Sequence, residues 1–319
     1  MTTVAAIDCG THSIRLLIAD IGKSDGGQPV LNDLARRMEV VRLGQDVDKT
    51  GELNPQAIER TLAVLREYWA QASELGASKV RMVATSATRD ASNKEVFVKG
   101  VREIIGVAPE VIDGKEEASL SFTGSVWAHA DLASPKLVVD IGGGSTELSF
   151  GNNEGGLEKS VSLNMGCVRV TERFFQAQQD LAQPILPVCT SHAKEYIDSL
   201  LDEAEKTIDF SLVKTLMGTG GSITTVTALA LGLDEYDPDQ IDGAAVSVEE
   251  GSEIANWLRT RSRAERLTHS AIHPGRIDVI AAGALVWERI VERVASRSGI
   301  TRFYASEHDI LDGIALSMA

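Results

Sequence analysis

Short apolar runs along this chain end on an acid or a glycine, and the stretches between them carry helical spacing. VAAID (4–8) closes on Asp8, CGTHS follows, and IRLLIADI (14–21) resumes the apolar pattern. The pair predicts a strand, a glycine-bearing turn and a second strand, ended by the turn signal GKSDGG (22–27). EVVRLGQD (39–46) predicts another strand leading into a loop. In 54–76, Ile58, Leu62, Leu65, Trp69 and Ala72 are spaced four, three, four and three apart, which is an amphipathic helix. Asn54 can cap it, Pro55 suits its first turn and Gly76 its end. A strand at KVRMVAT (79–85), a helical turn from SATRDASN (86–93), a helix from Lys94 to Ile105, a strand at PEVIDG (109–114) and a helix over 116–129 follow.

The pattern then restarts. KLVVDIGGGSTELSFG (136–151) is again strand, glycine turn, strand. GLEKSVSLN (156–164) reads as a strand, and MGCVRVTERFF (165–175) opens a helix. Thr190 to Ile208 is an acidic amphipathic helix, and KTLMGTGGSITTVTALALG (214–232) is strand, glycine loop and helix. VSVEEGSEIANWLRT, a helix starting near Arg276, and TRFYASEHDILDGIAL complete the chain. Alternating strands and helices predict an α/β fold. AAIDCGTHSIRLLIAD aligns with LVVDIGGGSTELSFGN: both read apolar run, Asp, any residue, Gly, two residues, Ser or Thr, apolar run. Such an internal repeat predicts two related halves facing each other across a cleft, joined near HADLASPK (129–136).

Composition narrows the ligand. A net charge of −15 and a pI of about 4.9 disfavour nucleic acid and anionic membrane as general partners. An anion must therefore be held locally, by backbone N–H groups or through a metal ion. Cys9, Cys167 and Cys189 form no CxxC pair, so no zinc or redox motif is present and a reduced, cytoplasmic setting is expected. The N-terminus has no signal-type pattern, and no run reaches the ~20 apolar residues of a membrane span.

A glycine turn at a strand end lets backbone N–H groups converge on one anion without basic side chains. An aspartate before each turn, Asp8 and Asp140, is unsuited to an anion but suited to a Mg²⁺ that bridges to phosphate oxygens, and Glu147 can complete such a site. The plainer alternative is two hairpin turns capped by their aspartates. Neither GxGxxG opening a helix nor a GxxxxGKS or GxxxxGKT loop occurs. A third loop, MGTGGSITTVTA (217–228), brings Gly220 and Gly221 to a helix start, where either an anion or close helix–strand packing explains them. His269 and His273 are four apart, but Pro274 and Gly275 place them at a loop end.

These segments together resemble the exopolyphosphatase and guanosine-pentaphosphate phosphohydrolase (Ppx/GppA) family of the actin-like ATPase superfamily. The resemblance runs through AAIDCGTHSIRLLIAD (5–20), VATSATRDASN (83–93), IDGKEEASLSFTGS (112–125), VVDIGGGSTELSF (138–150), GCVRVTERF (166–174), GTGGSITTVTALALG (218–232) and RIDVIAAGALVWERI (276–290). It implies two ribonuclease-H-like (actin-like) domains around a cleft, in the short form that lacks an extra helical region. Residues 1–130 would form the first, with 306–319 packing back near it, and 131–305 the second. It also implies Mg²⁺-dependent removal of a terminal phosphate, with Mn²⁺ as a substitute. Carried over by position, Glu117 is the catalytic base, Asp140 and Glu147 hold the metal, and Asp8 is a weaker candidate for the same ion. Gly10, Thr11, His12 and Ser13 form the first phosphate turn, Gly142, Gly143, Gly144 and Ser145 the second, and Arg89 faces the phosphate chain. Glu116, beside Glu117, is expected in solvent.

Two departures stand out. Many relatives have Asn at the position of His12, whose charge depends on pH, and Arg at the position of Ser119. The leading expectation is an exopolyphosphatase, processive or stepwise, that prefers short chains. The alternatives are a guanosine pentaphosphate phosphohydrolase, a nucleotide-driven kinase or filament protein, and a sensor that binds guanosine tetra- or pentaphosphate. A homodimer is expected from exposed apolar helix positions such as Trp257 and Trp287, together with the resemblance.

Overall fold

The computed structural model describes residues 1–24, 27, 29–153, 156–176 and 182–319. Asp25 and Gly26 of the expected GKSDGG turn lie outside them. By contacts the chain divides into two compact units, Met1–Gly124 with Asp309–Ala319, and Ser125–His308.

In the first unit, β1 (Thr2–Cys9) and β2 (Ser13–Lys23) form the expected antiparallel hairpin. A third strand, β3 (Pro29–Val40), lies antiparallel along β2, while β4 (Lys79–Ala84) and β5 (Glu110–Val111) add in parallel beyond β1. The order is β3-β2-β1-β4-β5. Strand alternation lets β1 serve two cores. Ala5, Ile7 and Cys9 pack with Ile58, Leu65, Tyr68, Phe97 and Val101 of the helices Pro55–Glu74 and Lys94–Ile105. Val4 and Ala6 pack on the other face with Ile310, Leu311, Ile314 and Ala315 of the last helix, Ile310–Leu316. Each such Ile or Leu contributes roughly 1.5–3 kcal/mol on burial. Asn54 caps its helix by accepting the Gln56 N–H at 2.8 Å, as expected.

The second unit holds β6 (Lys136–Ile141), β7 (Thr146–Asn152), β8 (Gly156–Leu163), β9 (Thr215–Thr219), β10 (Ala245–Ser247) and β11 (Arg302–Ser306). Its order is β10-β11-β9-β6-β7-β8. From β8 to β11 this repeats the first sheet: an antiparallel meander whose first strand then pairs in parallel with β9, and β9 with β11. Helix Ile280–Ser298 is the centre of its core, with twelve buried residues.

Three expectations need correcting. The strand expected at 39–46 ends at Val40 and begins at Pro29. Its alternation is masked because it is an edge strand with half-exposed faces and charges at Asp33, Arg36 and Arg37. The strand expected over 109–114 is only Glu110–Val111. Trp287 is not an exposed apolar position: it is 1% exposed, edge-on to Phe303 with ring centroids 5.0 Å apart. Trp257 is partly buried against the same core.

Candidate active site

In the first unit the turn between β1 and β2 is closed by the Gly10 N–H donating to the Ser13 carbonyl at 3.0 Å. Its outer carbonyls are tied from one side. The Thr11 carbonyl accepts the Gly44 N–H at 2.9 Å, and the His12 carbonyl accepts those of Val41 and Arg42 at 3.0 and 2.8 Å. In a trans peptide the carbonyl and the next N–H point in opposite directions. Tying the carbonyls back therefore aims the following N–H groups away from residues 41–44. The close approach needs Gly44, because a Cβ there would lie 2.4 Å from Thr11 Cγ2. Thr11 Oγ1 shares a hydrogen bond of 2.8 Å with Ser86 Oγ, at the start of helix Ser86–Asp90.

Asp8 faces Arg15 across β1 and β2. Arg15 Nε and Nη2 donate to Asp8 Oδ2 at 3.0 and 2.8 Å, and Nη1 pairs with Asp309. Burial raises the Asp8 carboxyl above its ordinary range; Arg15 works against that, and the Asp309 charge adds to it. Glu117 lies in the first turn of helix Gly114–Ala128, which Asp113 Oδ1 caps by accepting the N–H groups of Lys115 and Glu116 at 3.0 and 2.9 Å. Glu117 is 7% exposed, and its Oε2 accepts from Arg89 Nη1 at 3.1 Å. The same nitrogen donates to the Ile112 carbonyl at 2.9 Å, so Arg89 fixes the carboxylate against the helix start. Glu116 turns outward to Arg81.

In the second unit the turn between β6 and β7 has the same closure, Gly142 N–H to Ser145 carbonyl at 3.0 Å. The tie is stronger. The carbonyl of Gly142 accepts the Cys167 N–H at 3.0 Å, that of Gly143 the N–H groups of Val168 and Arg169 at 2.9 and 3.1 Å, and that of Gly144 the Gly166 N–H at 3.2 Å. Arg169 Nε adds a bond of 2.8 Å to the Gly144 carbonyl. The N–H groups of Gly143, Gly144 and Ser145 thus emerge on the opposite side, and among the described residues those of Gly143 and Gly144 have no backbone acceptor. Gly166 lies flat on this turn: a Cβ would fall 2.3 Å from the Gly143 carbonyl.

Asp140 and Glu147 face each other across β6 and β7, at the register positions that Asp8 and Arg15 hold in the first unit. They are 9% and 1% exposed, and Glu147 Oε1 accepts from Ser162 Oγ at 2.7 Å. Gly220, at φ +85°, brings the third loop against this pair; a Cβ there would sit 3.2 Å from Asp140 Oδ1. Helix Gly221–Ala230 starts at this point, and the Arg276 guanidinium occupies the space where a Gly221 side chain would begin. Burial raises the Cys167 thiol, with the nearby Arg276 charge and the Ser222 hydroxyl opposing it. Two facing carboxylates are a hard-oxygen donor set that suits Mg²⁺, an ion that usually keeps water and substrate oxygens as its other ligands. Among the described residues no group of three or more His, Cys, Asp or Glu forms a closed metal cage. The donor set therefore fits a partly hydrated ion. At Asp8 the Arg15 guanidinium already supplies the positive charge.

A protein-family model described as the Ppx/GppA phosphatase family matches residues 18–318. The chain belongs to this family. Family membership makes it a hydrolase of phosphoanhydride bonds. The chain is 42% identical over 324 residues to exopolyphosphatase 2 of Mycobacterium tuberculosis, covering 100% of this chain and 99% of that protein. It superposes on the crystal structure of an exopolyphosphatase-like protein with a TM-score of 0.92 at 42% identity, covering 99% and 98% of the two chains. The Aquifex aeolicus Ppx/GppA protein gives a TM-score of 0.79 at 29% identity, covering 99% and 97%.

Sequence reasoning left out Gly44, Gly166, Arg169 and Arg276. The segments GCVRVTERF and RIDVIAAGALVWERI carried the resemblance, but nothing in their spacing says what their Gly and Arg touch. A Ser–His–Asp set, Ser306, His129 and Asp242, is not a further hydrolytic centre. Ser306 Oγ and Asp242 Oδ1 both lie 3.1 Å from the same ring nitrogen, His129 Nε2, so no proton can pass from one to the other through the ring.

Proposed function

We propose that this Ppx/GppA protein is an exopolyphosphatase that removes the terminal phosphate of inorganic polyphosphate, with a preference for short chains and a requirement for Mg²⁺. One observation carries the reading: two turns of the same backbone present N–H groups on one side, and only the second has a facing pair of acids. The identity to the mycobacterial exopolyphosphatase along the whole chain supports it. In this reading the N–H groups of Gly143, Gly144 and Ser145, with the Gly220–Gly221 loop, hold phosphate oxygens, and those of His12 and Ser13 form the matching anion-facing turn of the first unit. Asp140 and Glu147 would hold the metal ion, which supplies charge neutralisation on those oxygens. Asp8, neutralised by Arg15, has the lesser claim on that ion. Arg89 orients Glu117, and Glu117 accepts a proton as the water oxygen bonds to the terminal phosphorus and the bridging P–O bond breaks toward the shortened chain.

The enzyme is read as cytoplasmic. Guanosine pentaphosphate is the competing substrate, and a homodimer rests on the family resemblance alone. A sensor without turnover would have no use for a buried, arginine-oriented Glu117. The test measures phosphate release from tripolyphosphate, long polyphosphate, guanosine pentaphosphate and ATP, with Mg²⁺ and with a chelator. Release chiefly from polyphosphate, abolished by the chelator, is expected. Release chiefly from guanosine pentaphosphate would transfer the enzyme to alarmone turnover, and tight binding without release would make it a sensor.

A further inference from the structure

Among the described residues, one side chain joins the backbone in holding the turn of the second unit. Arg169 donates twice to it, from its backbone N–H to the Gly143 carbonyl at 3.1 Å and from Nε to the Gly144 carbonyl at 2.8 Å. The other donor to Gly144, the Gly166 N–H, stands farther off at 3.2 Å. The Gly144 carbonyl and the Ser145 N–H belong to one planar peptide, so whatever fixes the carbonyl fixes the direction of that N–H. A three-glycine turn has no side chains of its own to resist rotation of its peptides. The first unit's turn is built differently. Its Thr11 and His12 carry side chains, and Thr11 is anchored to Ser86.

We propose that Arg169 is a positioning residue for the phosphate site: through the Nε–H it sets the Gly144–Ser145 peptide with its N–H toward the bound phosphate. The inference rests on the proposed function only for which anion the turn receives. It makes a distinction that chemistry can test. The Nε of arginine and the Nε2 of glutamine are both bonded to Cδ, so Arg169→Gln keeps a donor at the same place along the side chain while removing the charge. Arg169→Leu removes both, and Arg169→Lys keeps the charge but moves the donor one atom outward.

The three variants and the parent are compared for kcat/KM on tripolyphosphate with Mg²⁺, and for the carbonyl ¹³C shift of Gly144 and the amide shift of Ser145 without ligand. Positioning predicts a loss of about tenfold to a hundredfold in Arg169→Leu, recovery to within about threefold of the parent in Arg169→Gln, and parent-like shifts in Arg169→Gln alone. If Arg169→Gln loses as much as Arg169→Leu while Arg169→Lys is active, the guanidinium acts by its charge on substrate and the proposal is wrong. Parent-like behaviour of Arg169→Leu also overturns it. Should Arg169→Leu fail to fold, the order of Gln and Lys decides alone. The shifts need no turnover, so they test the positioning even if the parent does not hydrolyse polyphosphate.

Discussion

Across the hairpin of the first unit Asp8 meets Arg15, whereas across the equivalent hairpin of the other unit Asp140 meets Glu147. The backbone is the same down to the Gly–Ser closure at 3.0 Å and the carbonyls tied back by the segment after the third strand. One cross-strand residue therefore separates an acid–base pair from a pair of acids. Like charges placed directly opposite destabilise a sheet unless something intervenes. The fold thus repeats the tied-back turn in both halves and sets two acids across the hairpin in one of them.

Activity offers the largest effects. Glu117→Gln should lower kcat by about a hundredfold to ten-thousandfold while tripolyphosphate binding, measured calorimetrically, persists; unchanged turnover would remove Glu117 from the mechanism. Glu147→Arg rebuilds the first unit's pair in the second. It should leave a folded protein that no longer responds to Mg²⁺ in either binding or turnover, and a variant still stimulated by Mg²⁺ would place the ion elsewhere.

Stability offers the middle range. Arg15→Leu leaves Asp8 and Asp309, both mostly buried, without their shared cation, and should cost about 3–5 kcal/mol of unfolding free energy by urea titration. Gly166→Ala drives a Cβ into backbone and Gly44→Ala drives one into the Thr11 methyl. Each should cost about 1–3 kcal/mol, with Gly166→Ala the worse because a backbone carbonyl has less room to yield; the reverse order in thermal melts would contradict the tied-turn geometry.

The smallest effect is in acid. Burial pushes the Asp242 carboxyl up, but its hydrogen bonds with His129 and the Glu307 N–H, and the charges of His129 and His308, outweigh burial and leave it below its ordinary range. Its folded form therefore binds fewer protons than the unfolded chain. The stability it provides is complete above the ordinary carboxylate range and is lost as pH falls through the lowered value. Asp8, raised by burial, has the opposite sign: its ionised form is disfavoured by folding, so its contribution weakens as pH rises through the carboxylate range. Asp242→Asn should flatten the acid limb of stability against pH, and an unaltered limb would mean the His129 contact is not felt.

Much of the fold was legible in the sequence. The matched Asp–x–Gly runs foretold the repeat, and the helix over 94–105 has the bounds its spacing gave. Glu116 and Glu117 part as two neighbours on one helix must. What could not be read were contacts set by the third dimension. Arg15 and Asp309 are 294 positions apart. Gly44 and Gly166 resemble ordinary loop glycines until the turn each one lies against is seen. The helical spacing around Trp287 marks it as apolar on one face, but cannot say that Phe303 of the sheet stands edge-on to it and leaves it 1% exposed.

The last helix belongs to the first unit. Asp309 and Asp312 cap it and meet Arg15 and Arg36, and its apolar face covers Val4, Ala6 and Leu17. Ser125–His308 stands between these two pieces in the chain. On a ribosome, the first unit must therefore wait with an uncovered sheet face while the second is made. Its final step comes only when residues 309–319 clear the exit tunnel, so translation pauses within 125–308 would prolong the interval in which that bare face can find the wrong partner.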